Sequence, residues 1–413
     1  MTTLELKALP ECLAGSLPAA VRAFDLERED CLDRLSPSPC GTPYERVIAL
    51  LRSHGRPLGW TSVPVAPDGI VRLPTGLVAA ARASLSEGPL AREPQASAAR
   101  DCLLTVVVAT CADTRAVAAC VEAILASESP LEVVVVENRP AGSAVPAALQ
   151  RRSGTDPRVR LIEEPRRGLA SARNAGLHAA KGELVAFTDD DVLVDPGWID
   201  ALRATFAVRD VDCVTGLIAP LELECPEQVL LERLAGYGKG FAPRLYELCR
   251  PPADEPLFPY AAGHFASGAN MAFRTEALRR LGGFDEALGT GTPARGCEDL
   301  DVCVRLLLAG GRLAYEPRAT VWHRHPATPA GVRHRAFDYG TALGAMVTKF
   351  VAFGPDRSAL IRKAPAAARY YLSASSRKNA GRGGGYPASL RLLELAGMLY
   401  GPVAYLISRT VRR

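Results

Sequence analysis

Apolar runs alternate with amphipathic segments between residues 103 and 188 of the 413-residue chain. Four of the runs are short and rich in β-branched residues, as expected for strands buried on both faces of a sheet: LLTVVVAT, LEVVVVEN, RVRLIEE and ELVAFT. The segments between them have helical spacing: TRAVAACVEAILAS, SAVPAALQRR and GLASARNAGLHAAKG. Strand–helix repetition with short connections predicts an α/β fold, a parallel sheet flanked by helices.

Regions of different character flank this pattern. The segment ERVIALLRSHGRPLGWTSVPV predicts a β-hairpin that turns at His54–Pro57, and GLVAAARASLS predicts a helix. The stretch SEGPLAREPQASAARD, rich in small residues and proline, predicts a linker. We therefore expect a small N-terminal α+β accessory region over residues 1–95, a central domain over 96–330, and a helical, basic C-terminal extension over 331–413.

Charge is distributed unevenly along the chain. The net charge is +4, but from Arg357 onward 11 Lys or Arg face a single acid, Glu394, so this end carries 11 − 1 = +10 and the remainder 4 − 10 = −6. The apolar stretch 392–407 lies in this basic region between Arg391 and Arg409. Such a segment suits a helix on an anionic membrane surface. The alternative is a helix packed on the central domain with a solvated basic end.

Other features bear on location and partners. The 11 cysteines form no CxxC pair, which indicates reduced thiols in a cytosolic protein. The N-terminus MTTLELKALPECLAG lacks the basic and apolar segments of a secretion signal, and no run reaches the ~20 apolar residues of a spanning helix. We expect a cytoplasmic protein, with peripheral membrane association as a hypothesis. Without a recognisable DNA or RNA module, nucleic acid is not an expected partner.

Three consecutive aspartates, Asp189, Asp190 and Asp191, follow the fourth predicted strand directly. Ligands of such sheets bind beyond the carboxyl ends of the strands, so these acids should share one crevice with Thr110 and Glu137. Like charges crowded in a cleft raise one another's pKa unless a cation compensates. The pattern therefore indicates a metal site, with a solvated turn as the alternative.

A second acidic group, Glu298, Asp299 and Asp301, opens the predicted helix in GCEDLDVCVRLLLAGG. Acids in a first turn suit the helix dipole, but three acids in four positions exceed what capping needs. Mg²⁺ and Mn²⁺ favour carboxylate oxygens and are commonly bound together with a substrate's phosphates. One acidic group for the metal and another for proton transfer would make a transferase with a phosphate leaving group.

Between Leu103 and about Pro326, these segments and their order resemble the family 2 glycosyltransferases. Members of that family are inverting enzymes with the GT-A fold. VVVATCADTR and VVVVENRP are similar to the first nucleotide-binding strands, and RGLASARNAGLHAAKGELVAFTDDD to the helix and strand that lead into the DxD motif. The stretch from SGANMAF to VWH is similar to the acceptor half, with the ED motif at Glu298 and Asp299. The resemblance implies a Rossmann-like, mostly parallel sheet flanked by helices.

The resemblance also implies a role for each matching residue. Contacts to the donor nucleotide come from Thr110, Glu137, Arg173 and Asp189. The ligands of a divalent cation, Mn²⁺ or Mg²⁺, are Asp191, Asp189 and His323. Asp299 is the expected general base, with Glu298 second, and the acceptor side comprises Ser267, Gly268 and Asn270.

The implied reaction moves a sugar, with inversion, from a nucleotide-diphosphate sugar to an acceptor hydroxyl. A UDP-linked donor is favoured, with dTDP and GDP open, and the acceptor is not readable from the sequence. A DxDxT/V phosphatase would need Thr or Val where Leu193 stands, and an NAD dehydrogenase would need a GxGxxG turn that ATCADTR lacks. The alternative that stays open is a catalytically inactive GT-A protein that binds a nucleotide or a partner.

Overall fold

The computed structural model describes residues 9–13, 19–27, 32–36, 38, 43–86, 102–111, 114–139, 147–235, 237–355, 357–373, 376–380 and 386–411. The predicted linker lies outside the described residues from position 87 to 101. The N-terminal elements are α1 (Leu9–Cys12), β1 (Ala19–Asp25), β2 (Leu32–Arg34), β3 (Arg46–Ser53), β4 (Arg56–Pro64), β5 (Ile70–Arg72) and α2 (Thr75–Ser86). Strands β3 and β4 form an antiparallel hairpin in which Ser53 pairs with Arg56.

The central elements begin with the predicted strand–helix repeat and continue through the acceptor half. They are β6 (Leu104–Thr110), α3 (Thr114–Leu125), β7 (Leu131–Glu137), α4 (Ala147–Thr155), β8 (Val159–Glu163), α5 (Leu169–Ala179), β9 (Leu184–Asp189), β10 (Val192–Val194), α6 (Trp198–Val208), β11 (Cys213–Pro220), α7 (Pro226–Ala235), β12 (Arg244–Tyr246), β13 (Met271–Arg274), α8 (Thr275–Arg280), α9 (Glu298–Leu308) and β14 (Leu313–His323). The C-terminal helices are α10 (Pro329–Phe353), α11 (Arg357–Arg362), α12 (Ala364–Leu372), α13 (Arg377–Ala380) and α14 (Ala388–Val411).

The central sheet has nine strands in the order β10-β14-β11-β13-β9-β6-β7-β8, with β12 alongside β14. Strands β9, β6, β7 and β8 are parallel, whereas β13 runs antiparallel to both of its neighbours. Apolar side chains fill both faces of this sheet, and Val106 and Val107 on β6 belong to the cores on opposite faces. The sheet confirms the α/β expectation, with a parallel half that follows the sequence repeat and a mixed half beyond it.

The ends of the parallel strands bring the predicted chemistry to one edge of the sheet. Thr110 at the end of β6 pairs in register with Glu137 at the end of β7. On the other side of β6, Ala109 pairs with Asp189 at the end of β9. Residues far apart in the sequence therefore become neighbours simply because parallel strands end on the same side.

The N-terminal region packs against the central sheet close to the aspartates. Its three-stranded sheet, β1-β3-β4, contributes Leu50 and Trp60 to a core shared with Leu217 on β11. Beside this core, Arg52 on β3 forms an ion pair of 2.6 Å with Asp195, directly after β10. The N-terminal region thus supports the segment that follows the three aspartates.

Helices α10 and α14 pack so closely that glycines are required at their contact. A Cβ on Gly401 would lie 2.5 Å from the Cα of Gly344, and one on Gly397 would lie 2.2 Å from the carbonyl oxygen of Phe337. Backbone-to-backbone packing of this kind fixes α14 along α10, because any larger residue would force the helices apart.

Candidate active site

Two aspartates and a histidine converge at the end of β9. One ligand atom each from Asp189, Asp191 and His323 lies within 4.8 Å of the other two. The short antiparallel pairing of β10 with β14 places Val192 opposite His323, which brings the imidazole beside the aspartate that precedes Val192. Two carboxylates and one imidazole form a donor set that suits a divalent cation such as Mn²⁺.

Burial and neighbouring charges shift the pKa values of two residues in this cluster. Burial and the neighbouring charge of Asp189 raise the pKa of Asp191 to about 6. Burial and the nearby His325 lower the pKa of His323 to about 3, so its imidazole is neutral at physiological pH. Neutral imidazole is the form that binds a metal. The Nε2 atom of His323 lies 3.5 Å from a carboxylate oxygen of Asp191.

Asp190 points to the neighbouring strand. Its carboxylate accepts a 2.6 Å hydrogen bond from the hydroxyl of Thr110, the last residue of β6. Burial raises the pKa of Asp190 to about 6, although this hydrogen bond opposes the shift. Thr110 therefore lines the cleft but uses its hydroxyl to hold the aspartate loop.

Arg173 connects the two acidic groups. Its guanidinium donates to Asp189 at 2.8 Å and to Glu298 at 2.7 Å, and it also donates to the carbonyl of Gly268 at 3.1 Å. The side chain is only 2% exposed. Arg173 is therefore a buried cation between the DxD and ED segments and not a surface arginine of α5.

The two acids of the ED segment have different surroundings. Glu298 is buried against Arg173, and burial raises its pKa to about 7 although the charge of Arg173 opposes the shift. Asp299 is half-buried and accepts backbone hydrogen bonds from Gly268 at 2.5 Å and from Leu300 at 2.8 Å. Asp299 is thus the acid of the pair that is both oriented and open to the cleft.

These residues line one cleft of about 980 Å³. Most of the site residues predicted from the sequence are on its wall: Thr110, Arg173, Asp189, Asp191, Ser267, Gly268, Glu298, Asp299 and His323. A Cβ on Gly268 would lie 2.5 Å from the Arg173 guanidinium, so this position has room only for glycine. A cleft of this volume is large enough for a nucleotide-sized ligand.

Two of the predicted residues lie elsewhere. The side chain of Asn270 is fully buried, accepts a hydrogen bond from Trp198, and donates to the carbonyls of Leu217 and Ala319. Its amide therefore holds the sheet together rather than facing an acceptor. Glu137 is buried at the end of β7, next to Arg139, and does not line the cleft.

Several cleft residues were not predicted from the sequence. Lys239, Tyr237, Arg335 and Tyr339 line the same cleft. The hydroxyls of the two tyrosines are 2.8 Å apart, and burial lowers the pKa of Lys239 to about 8. Arg335 and Tyr339 are four residues apart on α10, a spacing that places them on one helix face but does not distinguish a cleft from solvent.

We expect Arg173→Met to lower the free energy of unfolding by about 3–5 kcal/mol, because it leaves the buried carboxylate of Glu298 and the half-buried carboxylate of Asp189 without their cation. Denaturant unfolding would measure the change. Arg22→Met is the matched control, since the side chains of Arg22 and its partner Asp33 are 42% and 38% exposed. The control should cost less than about 1 kcal/mol. Equal losses in the two variants would contradict this account of Arg173.

Comparisons with known proteins place the site in a family. Residues 101–337 match the sequence profile of glycosyltransferase like family 2. A pre-mycofactocin glycosyltransferase of Mycobacterium tuberculosis is 33% identical over 202 residues, which are 47% of this chain and 38% of that protein. The succinoglycan biosynthesis protein ExoO of Rhizobium meliloti is 33% identical over 221 residues, 52% of this chain and 59% of that protein. The chain thus matches less than two thirds of the length of either relative.

Among solved structures, a mannosyltransferase from Pyrobaculum calidifontis in complex with GDP-Man and Mn²⁺ is 23% identical, with a TM-score of 0.47 over 80% of this chain and 92% of that chain. This score is below 0.5, so family membership rests on the sequence match. The matched residues make up more than half of the chain and include the Asp189–Asp191–His323 group, Arg173 and the ED segment. The chain belongs to the glycosyltransferase-like family 2.

Proposed function

We propose that the protein is a metal-dependent inverting glycosyltransferase, which moves a sugar from a nucleotide-diphosphate sugar to an acceptor hydroxyl. The proposal rests on two features that lie in one cleft. One is a potential cation site formed by Asp189, Asp191 and His323, and the other is the separate, accessible carboxylate of Asp299. Arg173 and Gly268 link them.

The cation site fits Mn²⁺ or Mg²⁺ by its donor atoms, since two carboxylates and a neutral imidazole supply oxygen and nitrogen ligands. A bound cation would neutralise charge on the diphosphate of the leaving nucleotide. Lys239 and Arg335 line the same cleft and add positive charge for a phosphate-bearing ligand. A UDP-linked donor is favoured by the family resemblance alone.

Asp299 is the general base in this proposal. Two backbone N–H groups donate to its carboxylate, one to each oxygen, and these hydrogen bonds orient the group. Glu298 is the second candidate, but its carboxylate is occupied by Arg173. Asp299 belongs to α9, whereas the metal ligands lie at the ends of β9 and β14. A direct displacement with inversion needs the base and the leaving group on opposite sides of the anomeric carbon, and the separation of these elements is compatible with that requirement.

Metal-dependent nucleotide binding is the first expected outcome. Calorimetry with UDP, dTDP and GDP should show one nucleotide whose affinity rises when Mn²⁺ is present, and Asp191→Ala should abolish that gain because it removes a metal ligand. Asp200→Ala is the matched control, since this aspartate bonds to Ser129 at an exposed position on α6. If a nucleotide binds equally well with and without Mn²⁺ and regardless of Asp191, the inactive binding protein becomes the better description.

A second expected outcome concerns Asp299. Hydrolysis of the preferred nucleotide sugar by water needs a base but no acceptor, so release of the nucleotide can be followed without knowing the acceptor. Asp299→Asn should lower kcat about 10²–10⁴-fold while nucleotide affinity changes little. Glu276→Gln, an exposed acid on α8, should leave the rate unchanged. An unaltered rate in Asp299→Asn would exclude this aspartate as the base, and NMR of the released sugar would show whether the anomeric centre inverts.

A further inference from the structure

The outer face of α14 is apolar along its whole length. One face of this 24-residue helix is buried on the protein through Gly397, Gly401 and Ala404. On the opposite face Leu392 is 66% exposed, Leu399 83%, Val403 52% and Leu406 53%. The exposed residues of α14 include no charged side chain. A continuous exposed apolar stripe of this kind marks a surface that contacts a membrane or another protein.

Basic residues border this stripe, and the one acid within the described residues of α11 to α14 is buried. Arg391 and Arg409 are about five helical turns apart and therefore lie on the same side of α14. Both side chains are half-buried, whereas Arg357 and Arg362 on α11 are exposed. From residue 357 to the end of the chain the only acid is Glu394, which is buried and paired with Lys378. The surface therefore combines apolar area with uncompensated positive charge.

We propose that this face of α14 binds the surface of an anionic membrane. Apolar side chains enter the boundary between headgroups and acyl chains, and flanking arginines pair with lipid phosphates. A second copy of the chain fits less well, because a twofold contact would bring the basic borders together without acids to pair with. The proposal does not depend on the transferase activity.

An interfacial position fits this fold better than a spanning one. By length and apolar composition α14 could cross a membrane, and it is longer than the apolar stretch 392–407 suggested. However, a third of its most apolar window is buried inside the protein. The helix that covers it, α10, carries the cleft residues Arg335 and Asp338. Lipid cannot surround α14 on all sides while this packing is kept.

Co-sedimentation of the full chain with vesicles tests the proposal. We expect binding to vesicles of phosphatidylcholine and phosphatidylglycerol at a 3:1 ratio, and weak binding to phosphatidylcholine alone. Leu399→Gln with Leu406→Gln should weaken binding about tenfold or more, because two exposed leucines no longer leave water. The matched control is Val208→Gln with Leu248→Gln, two exposed apolar residues outside the C-terminal helices, 52% and 41% exposed. Arg391→Gln with Arg409→Gln should reduce the preference for anionic vesicles.

Three results would overturn the proposal. The full chain could fail to sediment with either vesicle, or the double glutamine variant of α14 could bind as well as the unaltered chain. Alternatively, size-exclusion chromatography with light scattering could show a dimer that the α14 variant dissociates, with no vesicle binding. That last result would assign the apolar face to a second copy of the chain.

A separate observation concerns the histidine of the proposed metal site. Behind His323 lie two further buried groups, His325 at 3% exposure and Glu232 of α7 at 5%. The Nδ1 atoms of the two histidines are 3.0 Å apart, and Nε2 of His325 is 2.5 Å from a carboxylate oxygen of Glu232. The ring of Tyr237 stacks on His325 with an interplanar angle of 12°. These contacts form a chain of hydrogen bonds that ends at the cation site.

The geometry of this chain determines how the His323 ring is oriented. The carboxylate of Glu232 is the partner of Nε2 of His325, and this contact directs Nδ1 of His325 at Nδ1 of His323. With its Nδ1 engaged in that hydrogen bond, His323 turns Nε2 towards Asp191, 3.5 Å away. We infer that Glu232 and His325 are positioning residues that hold the His323 ring with Nε2 facing the cation site. This inference rests on the proposed metal site for its function, and outer partners of this kind commonly orient ligands.

The contact between the two rings can be read without activity and without metal. The chain has six histidines, so ¹⁵N-histidine labelling of the full chain gives a small set of ring nitrogens that single His→Gln variants assign. We expect a scalar coupling between the Nδ1 nuclei of His323 and His325, which reports their hydrogen bond whichever nitrogen carries the proton. Absence of this coupling in the metal-free protein would overturn the inference.

A matched pair of variants adds a second readout. In His325→Asn the side-chain amide can take the place of Nδ1 as a hydrogen-bond partner of His323, whereas His325→Phe fills the space without one. Mn²⁺ affinity, measured from the free-ion electron paramagnetic resonance signal, should fall ~10–100-fold more in the Phe variant. Equal affinities in the two variants would contradict a positioning role. If the unaltered chain binds no Mn²⁺ at all, the proposed metal site fails, while the coupling between the two rings still decides the inference about His323.

Discussion

The buried guanidinium of Arg173 is the interaction on which the rest of the site depends. It contacts Asp189 after β9, Glu298 at the start of α9 and the backbone of Gly268. Carboxylates from segments more than a hundred residues apart can approach in a poorly solvated cleft only if a positive charge lies between them. Gly268 connects Arg173 with Asp299, because its carbonyl accepts from the guanidinium and its N–H donates to the carboxylate of Asp299.

The packing of α5 on the sheet fixes the position of Arg173. Helix α5, which carries Arg173, packs on β6 where a Cβ on Gly176 would lie 2.3 Å from a methyl carbon of Val107. Close packing at that point fixes the distance between α5 and the sheet. This distance determines how far the Arg173 guanidinium extends into the cleft. Asn270 on the acceptor side acts in a similar way, since its amide joins Trp198 to two backbone carbonyls.

The regions outside the matched family segment contribute to the cleft as well. The ion pair between Arg52 and Asp195 supports the segment after β10 from the N-terminal side. From the C-terminal side, the part of α10 beyond the matched segment supplies Asp338 and Tyr339 to the cleft, while another side of this helix packs against the glycines of α14. One helix therefore connects the site with the apolar surface of the C-terminal region.

The parallel half of the sheet and the position of the aspartates were readable from the sequence, because hydrophobic periodicity and strand–helix alternation are local properties. Asp191, Asp299 and His323 were predicted from their place within ordered motifs, and they line one cleft. Only the tertiary structure showed that Asn270 is buried in hydrogen bonds to the sheet and that Glu232, His325 and Arg335 lie near the cation site. A buried polar residue is defined by partners distant in the chain, and a one-dimensional pattern does not contain those distances.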